Sequence, residues 1–192
     1  HDVELTLAQN KFINKVIFNP YNSGQARALN TGINQSSSQF IAILDDDDFW
    51  TDPIKLHKDL AFLSNNDDVS LISSNKIIRC TETGSDSCKD QTDGKLWGVN
   101  KLLLYKKNPI NHSAVLFNKR YFDQVGGYDE SLMRSQDIDL WFRLSNVSKL
   151  YVRNEVSFTY RYSSKRSPKK YFNRLKEKFL RFRINLRHGF IW

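Results

Sequence analysis

Four consecutive aspartates, Asp45–Asp48, are the residues of this sequence whose type and spacing point most directly to chemistry. Carboxylates this close together repel one another and raise one another's pKa unless a cation lies among them. Hard oxygen ligands at this density favour Mg²⁺ or Mn²⁺, which commonly accompany a diphosphate group. The alternative interpretation is a solvated acidic turn at the start of a helix, where the helix dipole favours negative charge. We predict a metal–diphosphate site, because the aspartates directly follow an apolar segment with the pattern of a buried strand.

A second acid with a separate role is predicted at residue 137. Asp137 and Asp139 fall in the first turn of a helix whose predicted N-cap is Ser135. The purely structural interpretation is that acids there stabilise the helix dipole by about 0.3–1 kcal/mol each. The catalytic interpretation is that Asp137 accepts a proton from an attacking hydroxyl group, while a metal neutralises charge on a departing diphosphate. These roles need different residues, because a bound metal withdraws charge from an aspartate and makes it a poor base.

The elements predicted around these acids are those of an α/β domain. The apolar residues 40–44 predict a strand buried on both faces, as in a parallel sheet, and Asp52-Pro53 predicts the start of a helix. The carboxylates then lie at the carboxyl end of a strand, where open α/β sheets bind ligands. A strand at 16–18 and an amphipathic helix at 25–35 complete a right-handed strand–helix–strand unit. The other predicted helices are 53–64, 99–105, 119–125 and 135–144, and the other strands are 69–78, the end of 111–117, 150–153 and 156–160, with a surface loop or hairpin at 79–95.

Length and composition predict one folded domain. The 192 residues are 40% hydrophobic and 13% aromatic, which is typical of a globular protein. No apolar run approaches the roughly 18 residues that a membrane-spanning helix needs. Two cysteines, Cys80 and Cys88, are too few for a disulfide framework and have no partners for a zinc site, so we expect a reduced pair, with a local disulfide as the alternative.

The positive charge is concentrated at the end of the chain. Residues 161–192 hold eleven of the 29 Lys and Arg residues against a single acid, Glu177. From Pro168 onward a basic amphipathic helix is predicted, with the apolar stripe Phe172, Leu175, Phe179, Phe182 and Leu186. Such a helix either binds an anionic membrane surface or packs on the domain itself, and the pattern favours the two equally. Nucleic acid is a weaker third partner, because no binding motif accompanies the charge.

Four motifs in succession resemble those of family 2 inverting glycosyltransferases with the GT-A fold. They are GQARALNTG, LDDDDFW, NPINHSAVLF and GGYDESLMRSQDIDLWFRL, and they cover residues 15–153 in the expected order. The resemblance implies a Rossmann-like three-layer α/β sandwich with a mostly parallel central sheet, from which the first nucleotide-binding strand is missing. We accordingly expect a partial GT-A-like domain at residues 1–162 and a basic amphipathic tail at 163–192.

Carried over to this sequence, the resemblance implies a role for each matching residue. Asp45 and Asp47 are the ends of an Asp-x-Asp motif that holds the metal, and with Asp46 they contact the ribose and diphosphate of the donor. Asp48 extends this motif. Asp137 is the catalytic base. Further donor-binding residues are Arg27, Asn30 and Gly127, and the acceptor side is formed by His112, Gln136 and Trp141.

Three positions leave a choice of role or depart from the family pattern. A structural hydrogen-bonding role for His112 is as well supported as a catalytic one. Gln136 stands where the family often has Glu before the base, so a paired-acid arrangement is lost. Leu29 stands where the family often has Arg, a role that Arg27 could take instead.

The function implied is metal-dependent, inverting transfer of a sugar from a nucleoside-diphosphate sugar, foremost a UDP-sugar, to an acceptor hydroxyl. The acceptor is expected to be a glycan or a lipid-linked sugar in bacterial surface polysaccharide synthesis. We expect a cytoplasmic protein, peripheral on the inner face of the membrane if residues 165–192 bind the anionic surface. The alternative is a truncated, catalytically inert transferase-like domain that acts as a binding module at an anionic surface.

Overall fold

The computed structural model describes residue 13 and residues 15–81, 83–87, 93–162, 184 and 187. The helices in these ranges are α1 Gln25–Asn34, α2 Lys55–Ser64, α3 Lys101–Lys106, α4 Lys119–Gln124 and α5 Gln136–Val147. The strands are β1 Phe40–Ala42, β2 Phe49–Trp50, β3 Val69–Cys80, β4 Asp86–Ser87, β5 Leu96–Val99, β6 Leu116–Asn118 and β7 Lys149–Tyr162, and a 3₁₀ turn covers His112–Ala114. The chain is therefore α/β, as predicted.

The seven strands form one mixed sheet in which most neighbours are antiparallel. The strand order is β1-β6-β3-β7-β2, with β4 beside β3 and β5 beside β7. The long strands β3 and β7 pair in parallel, and each of the other pairings in the described ranges is antiparallel. The expectation of a mostly parallel sheet is therefore wrong. A short apolar run does not reveal the direction of its neighbours, and β1, with three residues, pairs antiparallel with β6.

The predicted strand before α1 is also corrected. Residues 16–18 form no strand, and the side chains of Val16 and Phe18 are exposed. An apolar triplet specifies a strand only where its side chains can pack on a sheet, and these two remain in solvent. The predicted absence of a first nucleotide-binding strand concerns earlier residues, which lie almost entirely outside the described ranges.

Helices pack on both faces of the sheet, which is the three-layer arrangement expected. On one face, a small core joins α2 to β3 and β6. On the other face, a larger core joins the sheet to α1, α3, α4 and α5. Strand β1 contributes to both, since Ile41 belongs to the larger core while Phe40 and Ala42 pack against the smaller one. This strand is thus apolar on both faces, as its sequence predicts.

Helix α5 places the second predicted acid against this larger core. Its buried apolar residues are Ile138, Leu140, Trp141, Phe142 and Leu144. Ser135 occupies the predicted N-cap position, but it adopts a left-handed conformation (φ 56°) and makes no capping bond through its side chain. Asp137 and Asp139 lie in the first turn, where the helix dipole favours their charge.

Two residues of the C-terminal segment are described, and both contact the domain. Ile184 is buried in the larger core. Arg187 pairs with Asp129, with 2.6 Å between Nη1 and Oδ2. The rest of the predicted tail at 163–192, including its apolar stripe, lies outside the described residues. Within the described part of the chain, no helix combines the length and apolarity needed to cross a membrane.

Candidate active site

The acidic loop after β1 is organised around Ser113. The loop closes as a turn, in which the Asp48 amide donates to the Asp45 carbonyl oxygen at 3.1 Å. The Ser113 hydroxyl lies 3.1 Å from Asp45 Oδ2 and 2.5 Å from Asp48 Oδ2. Because a hydroxyl group has one proton, it donates a hydrogen bond to one of these two carboxylates at a time. Ser113 is itself held from behind, because the indole N–H of Trp50 donates to its carbonyl oxygen at 2.7 Å. Burial raises the pKa of the Asp48 carboxyl above its ordinary value.

Arg161, at the end of β7, holds the same loop from the other side. Its backbone N–H donates to Asp48 Oδ1 at 3.1 Å. Its guanidinium donates to the carbonyl oxygens of Asp47 and, at 3.3 Å, Asp46. The loop is therefore fixed through its backbone as well as through its buried carboxylate.

A hydrogen-bonded chain links the acidic loop to the glycine loop at Gly126-Gly127. His112 Nδ1 lies 3.2 Å from Asp45 Oδ1, and its Nε2 lies 3.0 Å from the Tyr128 hydroxyl. A carboxylate only accepts, so Nδ1 donates to Asp45, and in the neutral imidazole Nε2 then accepts from the Tyr128 hydroxyl. The hydrogen bond from His112 lowers the pKa of the Asp45 carboxyl. Burial, followed by the charges of Asp137 and Asp45, raises the pKa of Tyr128, which keeps its proton as the donor.

Asn30 of α1 fixes the glycine loop. Its Oδ1 accepts from the Tyr128 backbone N–H at 2.9 Å, and its Nδ2 donates to the Tyr128 carbonyl oxygen at 2.9 Å and to Glu130 Oε1 at 3.0 Å. Both glycines have positive φ, 81° at Gly126 and 71° at Gly127. A Cβ on Gly127 would lie 2.9 Å from Asn30 Oδ1, so the backbone of the loop and this amide are in direct contact.

A buried ion pair on α5 holds the loop from the opposite side. Asp139 is fully buried and accepts from Arg143 Nε at 2.8 Å. Nη1 of the same guanidinium donates to the carbonyl oxygens of Val125 and Gly127, at 2.7 and 2.6 Å. A buried charge needs a partner of opposite sign, and the half-buried Arg143 guanidinium supplies it to the Asp139 carboxylate. Asp139 is thus a positioning residue beneath the loop.

The acidic loop and the start of α5 face one cavity of about 500 Å³. This volume lies within the roughly 300–1,000 Å³ that small-molecule sites commonly have. Its lining is strongly polar and comes from five separate segments of the chain. The lining residues are Gln25, Asp45, His112, Met133, Arg134, Ser135, Gln136, Asp137 and Tyr160. The separate acids that the sequence predicts are therefore brought to the same cavity.

Of the other predicted residues, those on the donor side lie around the cavity rather than in its wall. Asp46 is exposed on the outer side of the turn, and Asp47 is partly buried but absent from the lining. Asn30 and Gly127 form the support just described. Arg27 is directed to the neighbouring loop, where its Nε donates to Glu130 Oε2 at 3.0 Å.

Of the residues predicted on the acceptor side, His112 and Gln136 line the cavity and Trp141 does not. Its side chain is fully buried in the larger core, with its ring centroid 6.4 Å from that of His112. The predicted position of Trp141 in the wall is therefore corrected. Trp141 shares a face of α5 with Asp137 but lies one turn further along the helix, where the core covers that face, so its ring packs behind His112.

The carboxylates fit a divalent cation only if the substrate supplies most of its ligands. Asp45 is the one member of the acidic loop that lines the cavity, and its lowered pKa keeps it ionised. Among the described residues, no three His, Cys, Asp or Glu side chains are placed to enclose a metal. Mg²⁺ in phosphate-binding sites is commonly held by one or two carboxylates together with phosphate oxygens and water. The donor set of the loop is compatible with that kind of partial site.

Several residues of the site are not among those that the sequence motifs predict. Ser113 adjoins His112, and Tyr128 adjoins the two glycines, so their nearness to a motif is a signal for both. Gln25 opens α1 directly after Gly24, which is a weaker signal. Arg161 and Tyr160 lie more than 110 residues from the acidic loop, on a strand with no local motif. Only the pairing of β7 with β2 brings them to the site.

The chain matches known proteins in both sequence and fold. The sequence model described as glycosyl transferase family 2 matches residues 3–124 and ends before α5. An uncharacterised glycosyltransferase of Methanocaldococcus jannaschii is 28% identical over 169 residues, which are 86% of this chain and 56% of that relative. The UDP-Gal:alpha-D-GlcNAc-diphosphoundecaprenol beta-1,3-galactosyltransferase of Escherichia coli is 31% identical over 124 residues, which are 64% of this chain and 43% of that relative.

The crystal structure of S. aureus TarS 1-349 in complex with UDP-GlcNAc matches with a TM-score of 0.64 at 13% identity, covering 94% of this chain and 53% of that one. At this identity the match establishes the fold. The chain spans about half the length of these relatives. Because the family's sequence model matches more than half of its residues, and because its fold is the GT-A fold of glycosyltransferases, the chain belongs to glycosyl transferase family 2.

Proposed function

We propose that this chain transfers a sugar from a nucleoside-diphosphate sugar to an acceptor hydroxyl, with inversion at the anomeric carbon. The observation that carries the proposal is the shared cavity of Asp45 and Asp137. Two acids from separate elements, one hydrogen-bonded and ionised and the other at the start of a helix, suit two different tasks. Single displacement requires this separation, because the base and the leaving group lie on opposite sides of the sugar.

Asp137 is the proposed base. The acceptor oxygen attacks the anomeric carbon while its proton passes to the Asp137 carboxylate. The bond between the anomeric carbon and the diphosphate oxygen breaks, and its electron pair leaves with the diphosphate. The start of α5 is well placed to carry such a group, since the helix packs against the core through its whole apolar face. A rigid base helps because catalysis depends on the orientation of the reacting atoms.

Asp45, with Asp47 beside it, is the proposed contact for the donor diphosphate and its divalent cation. When bound, Mg²⁺ or Mn²⁺ would neutralise the charge that develops on the departing diphosphate. His112 and Ser113 orient the Asp45 carboxylate, and Tyr128 in turn orients His112. This support explains how one carboxylate can be held in a fixed direction at the edge of a solvent-filled cavity.

The choice of donor and acceptor follows from the relatives. TarS was crystallised with UDP-GlcNAc, and the Escherichia coli relative is named for a UDP-galactose donor and a diphosphoundecaprenol-linked acceptor. We therefore propose a UDP-sugar as the donor and a glycan or lipid-linked sugar in polysaccharide synthesis as the acceptor. A lipid-linked acceptor agrees with a cytoplasmic protein that docks on the inner face of the membrane through the basic residues 165–192.

The test is release of UDP from UDP-GlcNAc and UDP-galactose in the presence of Mn²⁺, with water as the acceptor. Asp137→Asn should lower the rate by about 10²–10⁴-fold, because it removes the base without changing the size of the side chain. Asp123→Asn, an exposed acid on α4, is the matched control and should retain the native rate. Proton NMR should show the sugar released first as the anomer opposite to that of the donor.

Three results would contradict parts of this proposal. An unchanged rate in Asp137→Asn would show that Asp137 is not the base. Retention of configuration would exclude a single displacement. A rate that is unchanged in EDTA would exclude a need for the divalent cation. Binding of UDP without any release by the native chain would favour the alternative, an inert transferase-like binding domain.

A further inference from the structure

Gln136, the first residue of α5, carries a side-chain oxygen that the reaction described so far does not use. Its Oε1 is buried and has no hydrogen-bond partner among the described residues. The residue as a whole is 7% exposed, yet it lines the cavity between the two acids. Buried polar atoms in native proteins are almost always paired, so an unpaired carbonyl oxygen beside a ligand cavity needs an explanation.

The orientation of this amide is fixed by its neighbours. Gln136 Nε2 donates to Gln25 Oε1 at 2.6 Å, and Gln25 Nε2 donates to Asp45 Oδ1 at 3.4 Å. The ionised Asp45 carboxylate can only accept, so it requires the N–H₂ group of Gln25 to face it. Gln25 Oε1 is therefore the atom that faces Gln136. Since this oxygen only accepts, the group of Gln136 that donates to it is the N–H₂ group. The free atom of Gln136 is therefore its oxygen, a hydrogen-bond acceptor.

The position of Gln136 identifies the group that can pair with it. It directly precedes Asp137, the proposed base, and it is linked through Gln25 to Asp45, the proposed diphosphate contact. In a single displacement the transferred sugar lies between the attacking hydroxyl and the leaving diphosphate. The terminal torsion of a glutamine side chain is broad and its partner Gln25 is exposed, so the two amides can turn together and bring Oε1 towards the cavity while Nε2 keeps its hydrogen bond to Gln25.

We propose that Gln136 Oε1 accepts a hydrogen bond from a hydroxyl or N–H group of the transferred sugar, and that Gln136 thereby contributes to the choice of donor. The proposal rests on the proposed function. Gln25 is a positioning residue in this scheme, because it holds the amide through Nε2 and leaves Oε1 free. A neutral amide can do this without adding a third negative charge between Asp45 and Asp137.

The test measures binding without turnover, in the full chain carrying Asp137→Asn. Isothermal titration calorimetry gives the affinity for UDP, UDP-GlcNAc and UDP-galactose, and the ratio of each UDP-sugar affinity to the UDP affinity isolates the contribution of the sugar. Gln136→Leu, which keeps the approximate size but cannot accept, should lower this ratio about five- to tenfold for at least one donor. Its affinity for UDP itself should not change. Gln124→Leu, an exposed glutamine at the end of α4, should leave every affinity unchanged.

Thermal unfolding separates the proposed role from a structural one. Gln25 is exposed, so water can replace the lost hydrogen bond and Gln136→Leu should unfold at the native temperature or higher. If Gln136→Leu lowers the unfolding temperature and weakens binding of UDP as much as binding of the UDP-sugars, its role is structural and the inference is overturned. An unchanged sugar ratio would also overturn it while leaving the proposed function intact. Failure of the Asp137→Asn chain to bind UDP and both UDP-sugars would overturn both the inference and the proposed function.

Discussion

Replacing Gly127 with alanine should destabilise the loop that positions Tyr128, and it should do so more than the same change at Gly126. The two glycines are adjacent and have similar positive φ values, 81° and 71°. They differ in their surroundings. A Cβ on Gly126 meets no atom within 4 Å, whereas a Cβ on Gly127 lies 2.9 Å from Asn30 Oδ1 and 3.1 Å from the Phe122 ring.

The expected loss of unfolding free energy has one part that both variants share and a second part that only Gly127→Ala carries. Left-handed backbone costs an alanine about 1–2 kcal/mol, and both variants carry this cost. Overpacking adds about 1–3 kcal/mol at Gly127 alone, because neither neighbour can move freely. Asn30 Oδ1 is held by the Tyr128 amide, and Phe122 is buried with its ring stacked 5.3 Å from that of Phe117. We therefore expect a free-energy loss of about 2–5 kcal/mol for Gly127→Ala and about 1–2 kcal/mol for Gly126→Ala.

Urea unfolding followed by tryptophan fluorescence measures both losses under the same conditions. In thermal unfolding, each kcal/mol should appear as a shift of about 2–4 °C for a chain of this size. Release of UDP, measured below the unfolding transition, should fall further in Gly127→Ala than in Gly126→Ala, because Tyr128 orients His112. Equal losses of stability in the two variants would refute the contact between Gly127 and Asn30 as the source of the difference.

Two further predictions concern pH and membranes. The pKa of Asp129 is lowered from 3.8 to about 2, mainly by hydrogen bonds from Ser131 and also by Arg187, so its ionised form stabilises the folded state above about pH 4 and this contribution is lost as the pH falls towards 2. Carbon NMR of this carboxyl group should give a midpoint near 2 in the native chain, and a midpoint near 3.8 would contradict the pairing. Replacing Lys165, Arg166, Lys169 and Lys170 with glutamine should lower co-sedimentation with phosphatidylglycerol vesicles by about tenfold or more at low salt, with phosphatidylcholine vesicles as the control. Equal sedimentation of the native and substituted chains would exclude membrane docking through these residues.

Local patterns in the sequence predict the helices of this fold well. The amphipathic spacing around Ala26 and Ile33 places α1 to within a residue, and the apolar face of α5 follows from the same rule. Strand direction is a different matter, because it depends on which strands become neighbours. Nothing within residues 40–44 indicates that β6 will lie beside β1 in the antiparallel sense. The long parallel pairing of β3 with β7 likewise joins segments about 80 residues apart.

In the candidate site, too, the residues with a local signal could be predicted and those placed by long-range packing could not. Its acids could be predicted, because four adjacent aspartates and an acid in a first helical turn are visible without a fold. The position of Trp141 could not, since the sequence does not show how far along α5 the core covers the face that Asp137 and Trp141 share. Arg161 carries no local signal, and its contacts with the acidic loop exist only once β7 has joined the sheet.

The double attachment of the acidic loop has a kinetic consequence. Ser113 and Arg161 hold residues 45–48 in place through the protein's own hydrogen bonds, so the loop has little conformational entropy left to lose when a nucleotide arrives. Stopped-flow association with a fluorescent nucleotide should therefore be a single concentration-dependent phase for this part of the site. A slower, concentration-independent phase would have to come from another segment, and the fully solvated Met133 beside Arg134 marks where such an adjustment could occur.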